Sequence, residues 1–340
     1  MNIVTEVVAL KKLVSLILLF ALILASIGCI SAPRTENVPD RINTLRIGYQ
    51  PTTHHVAEMV ATEMGWWKED LKQFGITEIK EFGFPTGGPQ LKAMEAGDLD
   101  IAYLCSCPFI LPVSKGLDAK IVVAVNTNGS SLVLRPDIAY DGPASLKGLH
   151  IGTFPPGTAQ DTLLKKWLAS NGVNISDVNI TAMGPGDAVA FMIEGKGDGV
   201  FLPHPAPAII EMSKKGRTVI TSGEMWPNHA CCGIGVSGRL IRDYPELVTQ
   251  IIKTHINATE YANAHPDEAA RIYSNHTGQD LAMVEHSIQT WDGAWLTDPH
   301  LLINDTLEFS KFQYQIQYTQ KEVTEQELFD TSFYDKLYQL

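Results

Sequence analysis

Leu45-Arg46-Ile47-Gly48-Tyr49-Gln50-Pro51 recurs later in the chain as Leu149-His150-Ile151-Gly152-Thr153-Phe154-Pro155, both in the register L-x-I-G-x-x-P. A second pair follows in the same order. Met94-Glu95-Ala96-Gly97-Asp98-Leu99-Asp100-Ile101-Ala102 returns as Met192-Ile193-Glu194-Gly195-Lys196-Gly197-Asp198-Gly199-Val200, which lays Gly97 on Gly195 and Asp100 on Asp198. Two similar half-units imply two similar lobes. Facing lobes leave a cleft between them, a common place to hold a small molecule.

Outward from the repeat, strand and helix patterns alternate. Strands are expected at 45–49, 78–84 and 101–104, with helices at 53–64 and 90–96. The second unit repeats this with strands at 150–154, 179–183 and 199–202 and helices at 158–171, 187–194 and 206–214. Extended stretches at 121–125 and 131–134, and a returning strand at 233–237, complete the sheets. From Pro245 onward apolar residues recur at helical spacing, as in Leu247, Ile251 and Ile252. Strands separated by helices predict a mostly parallel sheet in each lobe, an α/β layer structure. The crossings near 126–131 and 230–235 are the expected hinge strands. They divide the body into one lobe of 45–128 with 233–340 and a second lobe of 129–232.

The N-terminus reads as an address. Lys11 and Lys12 precede an apolar run over 13–27, which is short of the roughly 20 residues a spanning helix needs. The run ends in Ala25-Ser26-Ile27-Gly28-Cys29, small residues and a cysteine where a secretory peptide would be cut. Residues 1–29 therefore resemble a lipoprotein signal with Cys29 as the lipid-bearing residue, although Ser26 stands where that pattern prefers Leu. The alternative is an uncleaved membrane anchor. Residues 30–44, with Pro33 and Pro39, read as a flexible tether.

Composition narrows the class further. The chain has 45% hydrophobic and 19% charged residues and a net charge of −12. That acidity argues against nucleic acid and anionic lipid as partners. Beyond Cys29 the cysteines form two tight pairs, Cys105 with Cys107 and Cys231 with Cys232. They make no disulfide scaffold, and one cross-link between the pairs is possible. Six Asn-x-Ser/Thr sequons, at Asn128, Asn174, Asn179, Asn257, Asn275 and Asn304, are potential glycan acceptors.

Ligands of open α/β sheets sit beyond the carboxyl ends of the strands. Four loops qualify, in two matched pairs. The first pair follows the L-x-I-G strand: Tyr49, Gln50, Thr52, Thr53 and His54 on one side, Thr153, Pro156, Gly157, Thr158 and Ala159 on the other. The second pair follows the repeated Asp: Cys105, Ser106 and Cys107, then Pro203 and His204. Thr86, Gly87 and Gly88 form a further turn, and Asn126 and Asn128 stand at the first crossing. Helix N-termini carry about half a positive charge and free N–H groups, so such loops favour anions without Arg or Lys. Each residue also has a plainer role open to it. Gly-Thr at a helix start is an ordinary cap, Cys105 and Cys107 suit a core as small hydrophobes, and Asp100 and Asp198 are expected to cap their turns. The two Cys pairs with His54, His55, His204 and His229 invite a metal reading, but the spacings match no standard site and no metal is assigned.

Arg46-Ile47-Gly48-Tyr49, Gly65-Trp66-Trp67-Lys68-Glu69, the stretch 93–102, Leu146-Lys147-Gly148 and 198–205 together resemble the solute-binding proteins of the nitrate/sulfonate/taurine class of ABC transporters. The resemblance implies a two-lobed, type II periplasmic-binding-protein fold with hinge strands and a central ligand cleft built from the four loops. It implies an extracytoplasmic protein, monomeric and held at the outer face of the membrane, that passes a small ligand to a permease and, through it, an ATPase. A small anion such as a sulfonate, taurine or nitrate is expected, with binding and not catalysis as the activity and no cofactor. A metal-binding or pyrimidine-precursor-binding member, or a pyrimidine-forming enzyme of the same fold, is the alternative.

Overall fold

The computed structural model describes residues 42–339. The export signal, Cys29 and most of the tether lie outside the described residues.

Eleven strands form two sheets among the described residues. They are β1 (Thr44–Tyr49), β2 (Glu78–Gly83), β3 (Ile101–Cys105), β4 (Ala119–Thr127), β5 (Ser130–Leu134), β6 (His150–Thr153), β7 (Asn179–Ala182), β8 (Gly199–Pro203), β9 (Arg217–Thr221), β10 (Ala230–Ser237) and β11 (Ala294–Trp295). One sheet runs β11-β4-β10-β3-β1-β2 and the other β7-β6-β8-β5-β9. Apart from β11 the two orders match strand for strand. Each sheet has three parallel strands, then a strand that reached it from the other sheet, then the strand that leaves. β4 passes into β5 through Asn128 and Gly129, and β9 returns to β10 through 222–229. β5 and β10 are therefore both arriving strands. They run antiparallel to β8 and β3 respectively.

That exchange makes the sheets mixed, not mostly parallel as the strand–helix alternation predicts. A strand arriving from the other sheet, and not through a βαβ crossover within its own, lies antiparallel to its neighbours here. It also moves the second crossing. β10 starts at Ala230, so Cys231 and Cys232 belong to the six-stranded sheet and not to the second lobe. Two further elements escape sequence reading. The helix Ser106–Ser114 begins inside the expected 105–108 loop, because Pro108 in a first turn has no needed N–H to lose. β9 is short and half-buried, too weakly patterned to stand out.

The repeated residues explain themselves in the packing. Asp100 Oδ2 accepts the Arg46 N–H at 2.9 Å, and Asp198 Oδ2 accepts the His150 N–H at 2.8 Å. Their own amides return bonds to the Arg46 and His150 carbonyls, each at 2.9 Å. The two aspartates clamp the start of β1 and β6 rather than capping turns. The repeated glycine permits close helix packing. A Cβ on Gly48 would lie 2.6 Å from Leu99, and one on Gly152 would lie 3.1 Å from Val200 and 3.3 Å from Phe191. Core strands such as β4 are buried along their length and read as unbroken apolar runs. The helices Pro245–Ala264 and Pro266–Thr277 pack on the helix Val56–Glu63, closing the first lobe with Trp67, Tyr103 and Tyr273 buried. Among the described residues no helix is long and apolar enough to cross a membrane.

Candidate ligand cleft and hinge

Strand ends and helix starts of both lobes converge on a cavity of about 300 Å³. Pro51 and Thr52 come from the end of β1 and Pro85 from the end of β2. Phe154 follows β6, while Pro185, Gly186 and Val189 belong to the helix Pro185–Ile193 after β7. Pro203 to Ala206 lie where β8 enters the helix Ala206–Met212, and Ile209 and Gln279 complete the wall. The walls are mainly carbon, and no Lys, Arg, Asp or Glu lines them. The polar groups on offer are Thr52, His204, Gln279 and the free amides of the helix starts. His204 is buried and fixed between Ser287 at 3.0 Å and Ser131 at 3.4 Å. Burial pushes its pKa down to about 3, so the ring is neutral at physiological pH.

Of the sequence-predicted residues, Thr52, Pro203 and His204 line this cavity. The others sit elsewhere in the framework. Tyr49 donates to or accepts from His276 at 2.8 Å, and Gln50 bonds Gln90 at 2.8 Å. Thr53 and Thr86 are buried, Gly87 packs near Pro108, and Gly88 is exposed. Ser106 accepts from Thr306 at 2.9 Å, and the Thr153 hydroxyl donates to the Phe201 carbonyl at 3.0 Å. Pro156 is exposed, and Ala159 is buried at the head of its helix. Thr158 is an N-cap, accepting the Asp161 N–H at 3.4 Å. The Gly157 turn meets a residue from far along the chain. The Gln313 amide reaches the Cys107 and Gly157 carbonyls, each at 3.3 Å, and so ties the 105–107 and 157–159 loops together.

The hinge holds the densest polar network. The two crossings lie side by side, with the Asn128 N–H donating to the His229 carbonyl at 3.1 Å. Asp292 clasps both: Oδ1 accepts the Gly129 N–H at 2.9 Å and Oδ2 the Gly223 N–H at 2.5 Å. Asn128 is buried here, which removes its sequon from the surface. Asn126 Oδ1, Asn128 Oδ1, Thr53 Oγ1 and His229 Nε2 are buried in this region without a partner. Gly129 has φ of +90°, and a Cβ there would lie 2.6 Å from His54 Nε2.

His54 faces the hinge with one nitrogen and sulfur with the other. Its Nε2–H donates to the Gly129 carbonyl at 2.9 Å. Its Nδ1 lies 3.5 Å from Cys231 Sγ and 3.8 Å from Cys232 Sγ. Cys105 Sγ stands 3.2 Å from Cys232 and 3.7 Å from Cys231, and all are free thiols. Hydrogen bonds from the two neighbouring thiols hold Cys105 well below the ordinary thiol range. The Cys105 bond in turn raises Cys231, and burial raises Cys232. Cys107, His55, His204 and His229 stand outside this trio of sulfurs and one ring.

Sequence reasoning missed Pro85, Pro185, Gly186, Val189, Gln279, Asp292 and Gln313. The repeat could have found 184–186, which occupy in the second unit the place of 86–88 in the first. Asp292, Gln279 and Gln313 come from helices and loops beyond the repeat and carry no such signal.

Two mixed sheets joined by two crossings, with a cleft at their strand ends, are the fold of the periplasmic solute-binding proteins. The alkanesulfonate-binding protein SsuA from Xanthomonas axonopodis pv. citri, solved bound to MOPS, shares the fold. Its TM-score is 0.74 over 85% of this chain and 98% of its own, at 18% identity. The model of the NMT1-like family matches residues 40–275, and the chain belongs to that family. It is 24% identical over 284 residues to the nitrate/nitrite binding protein NrtA of Nostoc sp., covering 77% of this chain but only 62% of that relative's length. It is also 24% identical over 330 residues to a Bacillus subtilis protein provisionally named as aliphatic sulfonates-binding, over 94% of this chain and 96% of the other.

Proposed function

We propose that this protein captures a small organic anion, an alkanesulfonate or taurine, outside the cytoplasm and delivers it to an ABC importer permease powered by its ATPase. The observation that carries the reading is the cavity lined from both lobes by strand ends and helix starts. A ligand there touches both lobes at once, and only such contacts favour the closed form over the open one. The apolar walls of Pro51, Pro85, Phe154, Val189 and Ile209 suit the carbon part of the ligand. The first turn of the helix Pro185–Ile193, with Thr52 and Gln279, offers neutral donors to the charged part. Nitrate is the second reading, supported by the similarity to NrtA. It would leave most of a cavity of about 300 Å³ to water. Cys29 is proposed as the lipid anchor, with 30–44, running into the start of β1, as the tether, and the protein as a monomer.

A melting screen of the full chain against alkanesulfonates, taurine, nitrate, bicarbonate and pyrimidines tests this. A ligand at 100 times its Kd adds about 2.7 kcal/mol of apparent stability. The expected responders are sulfonates, with a response that disappears in the Thr52→Val, Gln279→Ala double variant. A response confined to nitrate would replace the ligand, and turnover of any candidate would replace transport by catalysis.

A further inference from the structure

We infer that Cys105, Cys231 and Cys232 with His54 Nδ1 form a buried site for one thiophilic d¹⁰ ion, Zn²⁺ or Cu⁺, resident behind the hinge. The donor atoms come from three separate places, the segment after β1, the end of β3 and the start of β10. The Nδ1 of His54 and the two sulfurs of Cys231 and Cys232 all lie within 4.8 Å of one another. Around a tetrahedral ion with metal–sulfur and metal–nitrogen bonds of ordinary length, neighbouring ligand atoms stand roughly 3.5–3.8 Å apart. Four donors make six separations: four are 3.5, 3.5, 3.7 and 3.8 Å, that between Cys105 and Cys232 is 3.2 Å, and the sixth, from Cys105 Sγ to His54 Nδ1, exceeds 4.8 Å, so Cys105 is the one donor that must move. Cys105 lies on the far side of the sulfur pair from the imidazole, so turning its side chain toward the ion completes the set.

Two features aim these groups. Consecutive residues of a regular strand point to opposite faces. Yet the sulfurs of Cys231 and Cys232 are 3.5 Å apart, and the pairing of β10 with β4 shifts register on both sides of Cys232. A bulge of this kind re-aims a side chain. The second feature is the imidazole tautomer. The Gly129 carbonyl only accepts, so Nε2 carries the proton and Nδ1 presents its lone pair to the sulfurs. A backbone carbonyl on the outer nitrogen is the usual support of a metal-bound histidine. Mixed thiolate and imidazole donors select Zn²⁺ or Cu⁺ over harder ions. His54, Cys231 and Cys232 are each 1% exposed and only Cys105 is partly open, so three of the four donors hold the ion away from solvent as a fixture and not as the cargo of the cleft. Binding releases to solvent the protons still held by the three thiols, leaving three thiolates and a neutral imidazole on the ion.

The test uses the full chain, isolated from its own cells with thiols blocked at lysis for one portion and kept reduced for the other. The reduced portion is titrated separately with Zn²⁺ and with Cu⁺ against chromophoric chelators, and with Co²⁺ as a spectroscopic probe. The expected result is one ion per chain, a thiolate-to-cobalt charge-transfer band, and protection of the cysteines from alkylation in the unmutated protein. The tighter of the two titrations identifies the ion. Cys231→Ser and Cys232→Ser should each weaken binding by more than the roughly 10–100-fold that loss of an outer-shell partner costs, and Cys107→Ser should not. Absence of a stoichiometric ion, equal affinity in the Cys231→Ser, Cys232→Ser double variant, or a Cys105–Cys232 disulfide in the blocked portion would each overturn the assignment.

Discussion

His54 shows how much one side chain can be asked to do: it holds the Gly129 carbonyl, faces two thiols, and must stay neutral to keep a lone pair toward the sulfurs. Burial lowers its pKa, and the same cause takes His55 and His204 to about 3 and His255 to about 4. The sign of the consequence follows directly. An imidazole whose folded value is depressed contributes fully above its unfolded value near 6.5, and that contribution is lost as pH falls toward 3–4. Each such ring costs about 1.4 kcal/mol per pH unit in that window. Glu58 acts in the opposite sense, because burial raises its carboxyl well above the usual range. Burial raises the Asp305 carboxyl as well, and two carboxyls against five imidazoles leave a net loss in acid. Urea midpoints should therefore fall as pH is lowered from 7 to 5. A flat profile would mean that these rings are charged in the folded chain.

The crossings are the only strand-to-strand links between the two sheets among the described residues, and Asp292 binds both. Asp292→Ala leaves the Gly129 and Gly223 amides without their acceptor. It should cost about 1–3 kcal/mol in chemical denaturation, the usual penalty for stranding buried polar groups. Gly129→Ala forces a side chain into a positive-φ position 2.6 Å from His54. It should lower stability by at least about 1 kcal/mol. The Thr158 cap is a smaller case. Thr158→Ala should cost about 1 kcal/mol through the lost Asp161 bond. If ligand affinity in Thr158→Ala fell far more than stability did, the 157–159 turn would be contacting ligand as well as Gln313.

At the scale of the whole molecule, the proposed capture of ligand depends on two lobes meeting over one cavity. Gly186 lines that cavity, and a Cβ there would meet nothing within 4 Å. Gly186→Trp should fill the cleft without disturbing the core. The expected outcome is an unchanged melting temperature and ligand affinity reduced by at least about tenfold, equivalent to 1.4 kcal/mol, in calorimetric titration. Undiminished affinity would move the binding site away from this cavity.

The L-x-I-G repeat and the paired Asp100 and Asp198 carried two lobes, two matched sheets and the family within the sequence, because each is a local requirement: a glycine where a helix must approach a strand, a carboxylate where a strand must be pinned. The expected export signal, too, is a linear pattern. What the chain order could not disclose is which loops face the cleft. Thr52 and His204 line the cavity, while Thr158 caps its own helix and the neighbouring Gly157 carbonyl is held by Gln313, 156 positions away. The swapped strands β5 and β10 made the sheets mixed, since direction is set by the neighbour that a crossing chain finds. The gathering of Cys105, Cys231, Cys232 and His54 is likewise a product of strand pairing and a bulge. Spacing along a chain records what neighbours in sequence need, and only packing determines which distant atoms share a place.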